Sequence, residues 1–221
     1  MFITIIALFI CLFSFSSCSP VVCDIIDVSA TMIFDYESEE GAPKSRLAVF
    51  VQTENEAART QDIIVRSKTS EYKWIIDNPI LLNNTSDEWA GYTNLQSRNG
   101  EAFESGTYRV EYRTLSGESA ETQFSVWYPK ELKECDAKDV LSVLESEKYV
   151  EKVAVYNANG DMIFYGKQDD SVKDENAVKI RFPDGEIMRL CYADNRRRYV
   201  CFMPPVELGA KRRETQGLID E

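Results

Sequence analysis

The chain has 221 residues, a net charge of −12 and no histidine, and 44% of its residues are hydrophobic. That hydrophobic share excludes a mainly disordered protein, and the acidic balance argues against a nucleic-acid partner, whose phosphates need a basic surface. Lack of imidazole removes His-based general acid/base chemistry, Ser-His and Cys-His nucleophile pairs, and zinc sites that need His. The sequence also contains no GxxxxGK[ST] loop, no GxGxxG and no CxxC. Its carboxylates are scattered, so no pair is singled out for catalysis; no catalytic residue, metal site or cofactor is expected.

Residues 2–13, FITIIALFICLF, form an apolar run of signal-peptide length, too short to span a bilayer comfortably. Phe15-Ser16-Ser17-Cys18 follows and resembles the bacterial lipobox, in which small residues precede a cysteine that becomes diacylated. Phe15 stands where Leu is usual, a looseness found in spirochaete-type lipoproteins, and no Lys or Arg precedes the apolar run. The resemblance implies removal of residues 1–17 as a signal peptide and lipid on Cys18.

Residues 18–130 are expected to form an antiparallel β-sandwich. In DVSATMIFDY, Val28, Ala30, Met32, Phe34 and Tyr36 fall on one face, the period of a half-buried strand. RLAVFVQ (46–52), DIIVRS (62–67), YKWIID (72–77) and TYRVEYRT (107–114) continue the pattern, and Ser116-Gly117 turns the chain back into ETQFSVWY (121–128). ILLNNTSDEW, from residue 80, reads as an edge strand or a binding loop. Trp89-Ala90-Gly91, Asn99-Gly100 and Ser105-Gly106-Thr107-Tyr108-Arg109-Val110 resemble the closing half of bacterial immunoglobulin-like modules, with Tyr108 burying its ring and bonding its hydroxyl back to backbone.

Pro129 ends the sandwich, and residues 131–205 are expected to form a small α+β domain, followed by a flexible tail over 206–221. Asp136 is the expected N-cap of a helix over about 136–148, on the spacing of Val140, Leu141 and Leu144. A β-meander should follow, with hairpins at Asn159-Gly160 and Asp184-Gly185. The two hairpins align at an offset of 25 residues, through either duplication or shared hairpin grammar. The fold class is thus mainly β: an immunoglobulin-like antiparallel sandwich, then one helix plus a meander.

Beyond Cys11 and Cys18, four cysteines remain, an even number suited to disulfides in an exported protein. Cys191 and Cys201 flank an expected turn at residues 193–198 and should bridge across it, which leaves Cys23 to pair with Cys135. Alternatively all four remain thiols. Charge is unevenly spread: residues 177–213 hold nine Lys/Arg against four Asp/Glu, including Arg196, Arg197, Arg198, Lys211, Arg212 and Arg213. This basic region is either a site for an acidic partner or lipid headgroups, or a solvated turn and tail.

The expected function is a non-enzymatic, lipid-anchored cell-envelope protein facing the periplasm or exterior, with a binding or scaffolding role. Its partners would be the membrane, through the N-terminal lipid, and a protein of the envelope. The alternatives are an exported carboxylate-dependent enzyme and a soluble secreted adhesion module, for which Asn83-Asn84-Thr85-Ser86 offers two overlapping glycosylation sequons.

Overall fold

The computed structural model describes residues 23–53, 57–83, 88–97 and 103–209. Alternating apolar residues generate two facing sheets built from β1 (Ile25–Asp35), β2 (Lys44–Thr53), β3 (Thr60–Ser67), β4 (Lys73–Ile76), β5 (Ile80–Asn83), β6 (Glu88–Leu95), β7 (Gly106–Thr114) and β8 (Ser119–Val126). β9 (Tyr149–Asn157), β10 (Met162–Lys167), β11 (Gly185–Asp194), β12 (Tyr199–Phe202) and β13 (Val206–Glu207) follow. Among the described residues the larger sheet has nine strands, in the order β10-β9-β11-β12-β1-β2-β6-β5, with β13 beside β11. The smaller has the order β4-β3-β7-β8. The architecture is the mainly β, sandwich-like one that the strand pattern predicts.

Between the sheets, Met32, Phe34 and Tyr36 of the first strand region meet Leu47, Val49, Ile63, Val65, Val110 and Tyr112. Burying each such side chain contributes about 1.5–3 kcal/mol. Tyr108 is buried and its hydroxyl donates to the Glu104 carbonyl at 2.9 Å, the back-bond its position predicts. β5 settles the ILLN segment as an edge strand. Gly91 of β6 lies under Phe50, so close that a Cβ there would sit 2.2 Å from the Val49 carbonyl.

β1 pairs antiparallel with β2 and parallel with β12, from Met32↔Tyr199 to Asp35↔Phe202. The larger sheet therefore crosses the sequence position, near 130, at which the sandwich is expected to end. Arg189 of β11 pins this junction. Its guanidinium donates to Asp35 Oδ1 at 3.0 Å, to the Met203 carbonyl at 2.7 Å, and to the Tyr36 and Phe202 carbonyls at 2.9 Å each. Arg46 reaches the other Asp35 oxygen at 2.9 Å.

Two helical expectations change. The helix expected over 136–148 is a 3-10 turn at Ala137–Asp139 and one α turn, α1 (Val140–Val143). Asp136 does not cap it; its carboxylate instead accepts from the Gly41 N–H at 2.7 Å. The segment before Asp184-Gly185 is a helix, α2 (Glu175–Arg181), capped by Asp174, which accepts from the Ala177 N–H at 2.9 Å. Asp184-Gly185 is thus no hairpin turn, and the 25-residue alignment equates a strand with a helix. Asn159-Gly160 does make its hairpin, with Gly160 at φ +82° and Asn157 Oδ1 accepting from the N–H groups of Asn159 and Asp161.

Candidate functional site

Cys18, Lys211, Arg212, Arg213 and Asn84 lie outside the described residues. The four cysteines expected to bridge are free thiols. Cys191 stands opposite Phe202 and Cys201 opposite Tyr192, so the two are one residue out of register and face opposite sides of the sheet. Cys201 enters the core between the sheets, and Cys191 the cluster on the outer face. Cys23 precedes β1, whereas Cys135 sits at the other end of that strand, its sulfur 3.3 Å from the Tyr36 hydroxyl. A strand of that length puts about 35 Å between the two thiols, far beyond disulfide reach. Burial pushes the Cys191 thiol up to about 12 and raises that of Cys201 further. Both are therefore inert at neutral pH.

The basic run at 196–198 divides by role. Asp194, only 4% exposed, accepts from the backbone N–H groups of Arg196 and Arg198 at 3.1 Å each. Arg198 closes the motif, with Nε and a terminal nitrogen each 2.9 Å from the two Asp194 oxygens, and its guanidinium lies 3.9 Å over the Trp127 ring. Burial alone raises the Asp194 carboxyl, but these bonds outweigh it and hold the group below its ordinary range. Arg198 is thereby structural, while Arg196 and Arg197 project from the turn. Arg197 has φ +59°, the left-handed region that costs a β-carbon residue about 1 kcal/mol.

Beneath this turn lies a groove of about 790 Å³. Consecutive residues line it on both sides, Ile25–Ala30 of β1 and Thr122–Ser125 of β8, which marks two strand edges rather than two faces. β12 covers β1 only from Met32 onward, so among the described residues Ile25–Thr31 have no neighbouring strand on that side. β8 is likewise the last strand of its sheet. The Met32 N–H points to β12, donating to the Arg198 carbonyl at 2.9 Å. By the alternation of an antiparallel ladder, Ala30 and Val28 aim their backbone groups at the same open side. The Val28 N–H is occupied by Asp27 Oδ1 at 2.8 Å.

The groove continues onto an apolar shelf of Ile26, Phe50, Leu82 and Trp89, with Ile26 55% exposed. Arg196 and Arg197 head it. The arrangement supplies backbone donors and acceptors, apolar surface and positive charge, the elements by which a strand edge takes up an extended chain. Sequence reasoning marks the two arginines. It does not find the open edge, because that depends on how short β12 is. Among the described residues, no three His, Cys, Asp or Glu side chains gather as a metal site, and no helix is long and apolar enough to cross a membrane.

No family model matches this chain, and no curated protein matches it either.

Proposed function

We propose that the chain is a non-enzymatic binding protein of the cell envelope, held to a membrane by diacylation of Cys18, which takes an extended segment of a protein partner as an added strand. The observation that carries this reading is the Ile25–Thr31 edge of β1, uncovered among the described residues and facing the similarly open edge of β8 beneath Arg196 and Arg197. An added strand satisfies the Ala30 backbone groups and sets alternate side chains on the apolar shelf, with an acidic residue at the end near the two arginines. Each new backbone bond contributes about 0.5–1.5 kcal/mol. Asp27, by occupying the Val28 N–H, guards the edge against indiscriminate pairing until a partner displaces it.

The carboxyls of Asp136, Asp169 and Asp194 are held below their ordinary range. Hydrogen bonds from Gly41, Ser171 and Arg198 fix these three as structural carboxylates, and the strand-addition reading rests on the open edge. Panning a displayed random-peptide library on the folded chain tests it. Extended peptides with Asp or Glu toward one end should emerge, should slow hydrogen exchange at the Ala30 amide, and should lose binding to Arg196→Glu. Selected peptides that leave the Ala30 amide unprotected refute strand addition. The anchor is tested separately by intact mass of the mature protein: diacylglyceryl on Cys18 with residues 1–17 absent supports it, and a free amino terminus at Ser19 rejects it.

A further inference from the structure

The outer face of the larger sheet holds a second concavity, of about 360 Å³, on the opposite side of the basic turn from β8. It arises from curl. Tyr165 of β10 stacks on Phe202 of β12 with ring centroids 6.0 Å apart, although β9 and β11 lie between those strands in the sheet order. Small side chains permit that approach: Ala48, Ala154, Cys191 and Ala193 are all buried on this face. The walls are Ile33, Val200, Phe202, Met162 and Tyr165.

Two cations enter this apolar space. Lys152 of β9 places its ammonium 4.5 Å over the Tyr165 ring, and Arg197 reaches in from the turn. Neither has a carboxylate within ion-pair distance among the described residues. Asp194 also borders the cavity, but its oxygens are taken by Arg198 and the turn N–H groups. Burial, and then the nearby Arg197, lower the Lys152 ammonium from its ordinary value, so the site as it stands is short of negative charge. Holding Arg197 at φ +59° in a turn where glycine would sit without strain also calls for a reason, and a ligand to its side chain supplies one.

We propose that this cavity binds a small monocarboxylate bearing an apolar tail, its carboxylate between Lys152 and Arg197 and its tail along Ile33, Val200 and Phe202. Arginine offers a planar fork matched to a carboxylate, and lysine a point charge beside it. The tail replaces water on the apolar walls, and the volume falls in the range of small-ligand sites. The two sites share Arg197, but Lys152 lines this cavity and not the groove, so its replacement separates this inference from strand addition.

The test is a calorimetric titration of the full mature chain with acetate, butyrate, hexanoate, octanoate and octanol. Affinity should rise about fourfold for each added methylene until the cavity is filled, and octanol should bind at least tenfold more weakly than octanoate. Lys152→Met keeps the aliphatic stem and should weaken octanoate at least tenfold while leaving selected peptides bound at the groove unchanged. Arg197→Gly should also weaken octanoate, with thermal stability equal to or above that of the parent, so that loss of binding is not loss of fold. Octanol binding as tightly as octanoate, unchanged octanoate affinity in Lys152→Met, or no octanoate binding at millimolar concentration each overturns the proposal.

Discussion

Replacing Arg189 by Met should weaken both parts of the chain together. The substitution keeps the stem of a side chain that is 14% exposed but removes the guanidinium that holds Asp35 and three carbonyls. Stripping one partner from a buried ion pair costs about 3–5 kcal/mol. Two observations put this case at the lower end. Asp35 keeps Arg46 at 2.9 Å, and the Phe202 carbonyl keeps the Tyr36 N–H at 3.0 Å. A loss of about 3 kcal/mol, with a urea dependence of about 3 kcal/mol per molar, moves the unfolding midpoint down by about 1 M. The assay is urea unfolding followed by two probes. Because Trp127 lies under Arg198, fluorescence is read in a Trp127→Phe background, where the remaining Trp74 and Trp89 report on the first part of the chain. Far-ultraviolet circular dichroism sees every strand. Both curves should shift by the same amount and remain coincident. A fluorescence transition that stays in place while the dichroism transition moves would refute the argument that the shared sheet makes the two parts one cooperative unit.

Three further outcomes follow from individual sites. Gly91→Ala puts a Cβ against the Val49 carbonyl and the Phe50 Cα, so the backbone itself must move; thermal unfolding should report a loss of about 1–3 kcal/mol. The depressed Asp194 carboxyl stabilises the fold fully above the ordinary carboxyl value, and that contribution is lost as pH falls through the lower folded-state value. The melting-temperature gap between the parent and Asp194→Asn should therefore be widest at neutral pH and narrow as pH falls below the ordinary carboxyl range, whereas a constant gap contradicts the assignment. Cys191 and Cys201 should resist iodoacetamide in the folded protein, while the half-buried Cys23 and Cys135 are alkylated first; equal labelling of all four would contradict their placement.

What could be read from the sequence was what burial imposes on one side of a strand. Val28 to Tyr36 alternate because one face of β1 meets the core, and Tyr108 carries its corner bond because its ring is inside and its hydroxyl must be satisfied. Asn159-Gly160 is a turn by local chemistry alone. The segment VKIRF was misleading for a definite reason. Val178, Ile180 and Phe182 alternate like a strand, yet Val178 and Phe182 also stand one helical turn apart, and the Asp174 cap settles the choice. Ile180 is consequently 82% exposed, where a strand would have buried it. The cysteine pairing failed through a register offset of one, which reverses a side chain's face and leaves no trace in the sequence. Lys152 was invisible because its setting is made by the curl that brings Tyr165 to Phe202.

The parallel union of β1 with β12 also has consequences for the time order of folding. Thr31 and the Arg197 carbonyl, which bond across this junction at 2.7 Å, lie 166 residues apart. Closing so long a loop is entropically slow, and a chain emerging amino-terminus first makes β1 long before β12. For most of that interval the whole flank of β1 is a naked ladder, open to misplaced pairing or to a chaperone. When β12 arrives it closes Met32–Asp35. Among the described residues the Ile25–Thr31 edge stays as the nascent chain left it, so under the strand-addition proposal the receptor surface is one already present before the larger sheet is complete.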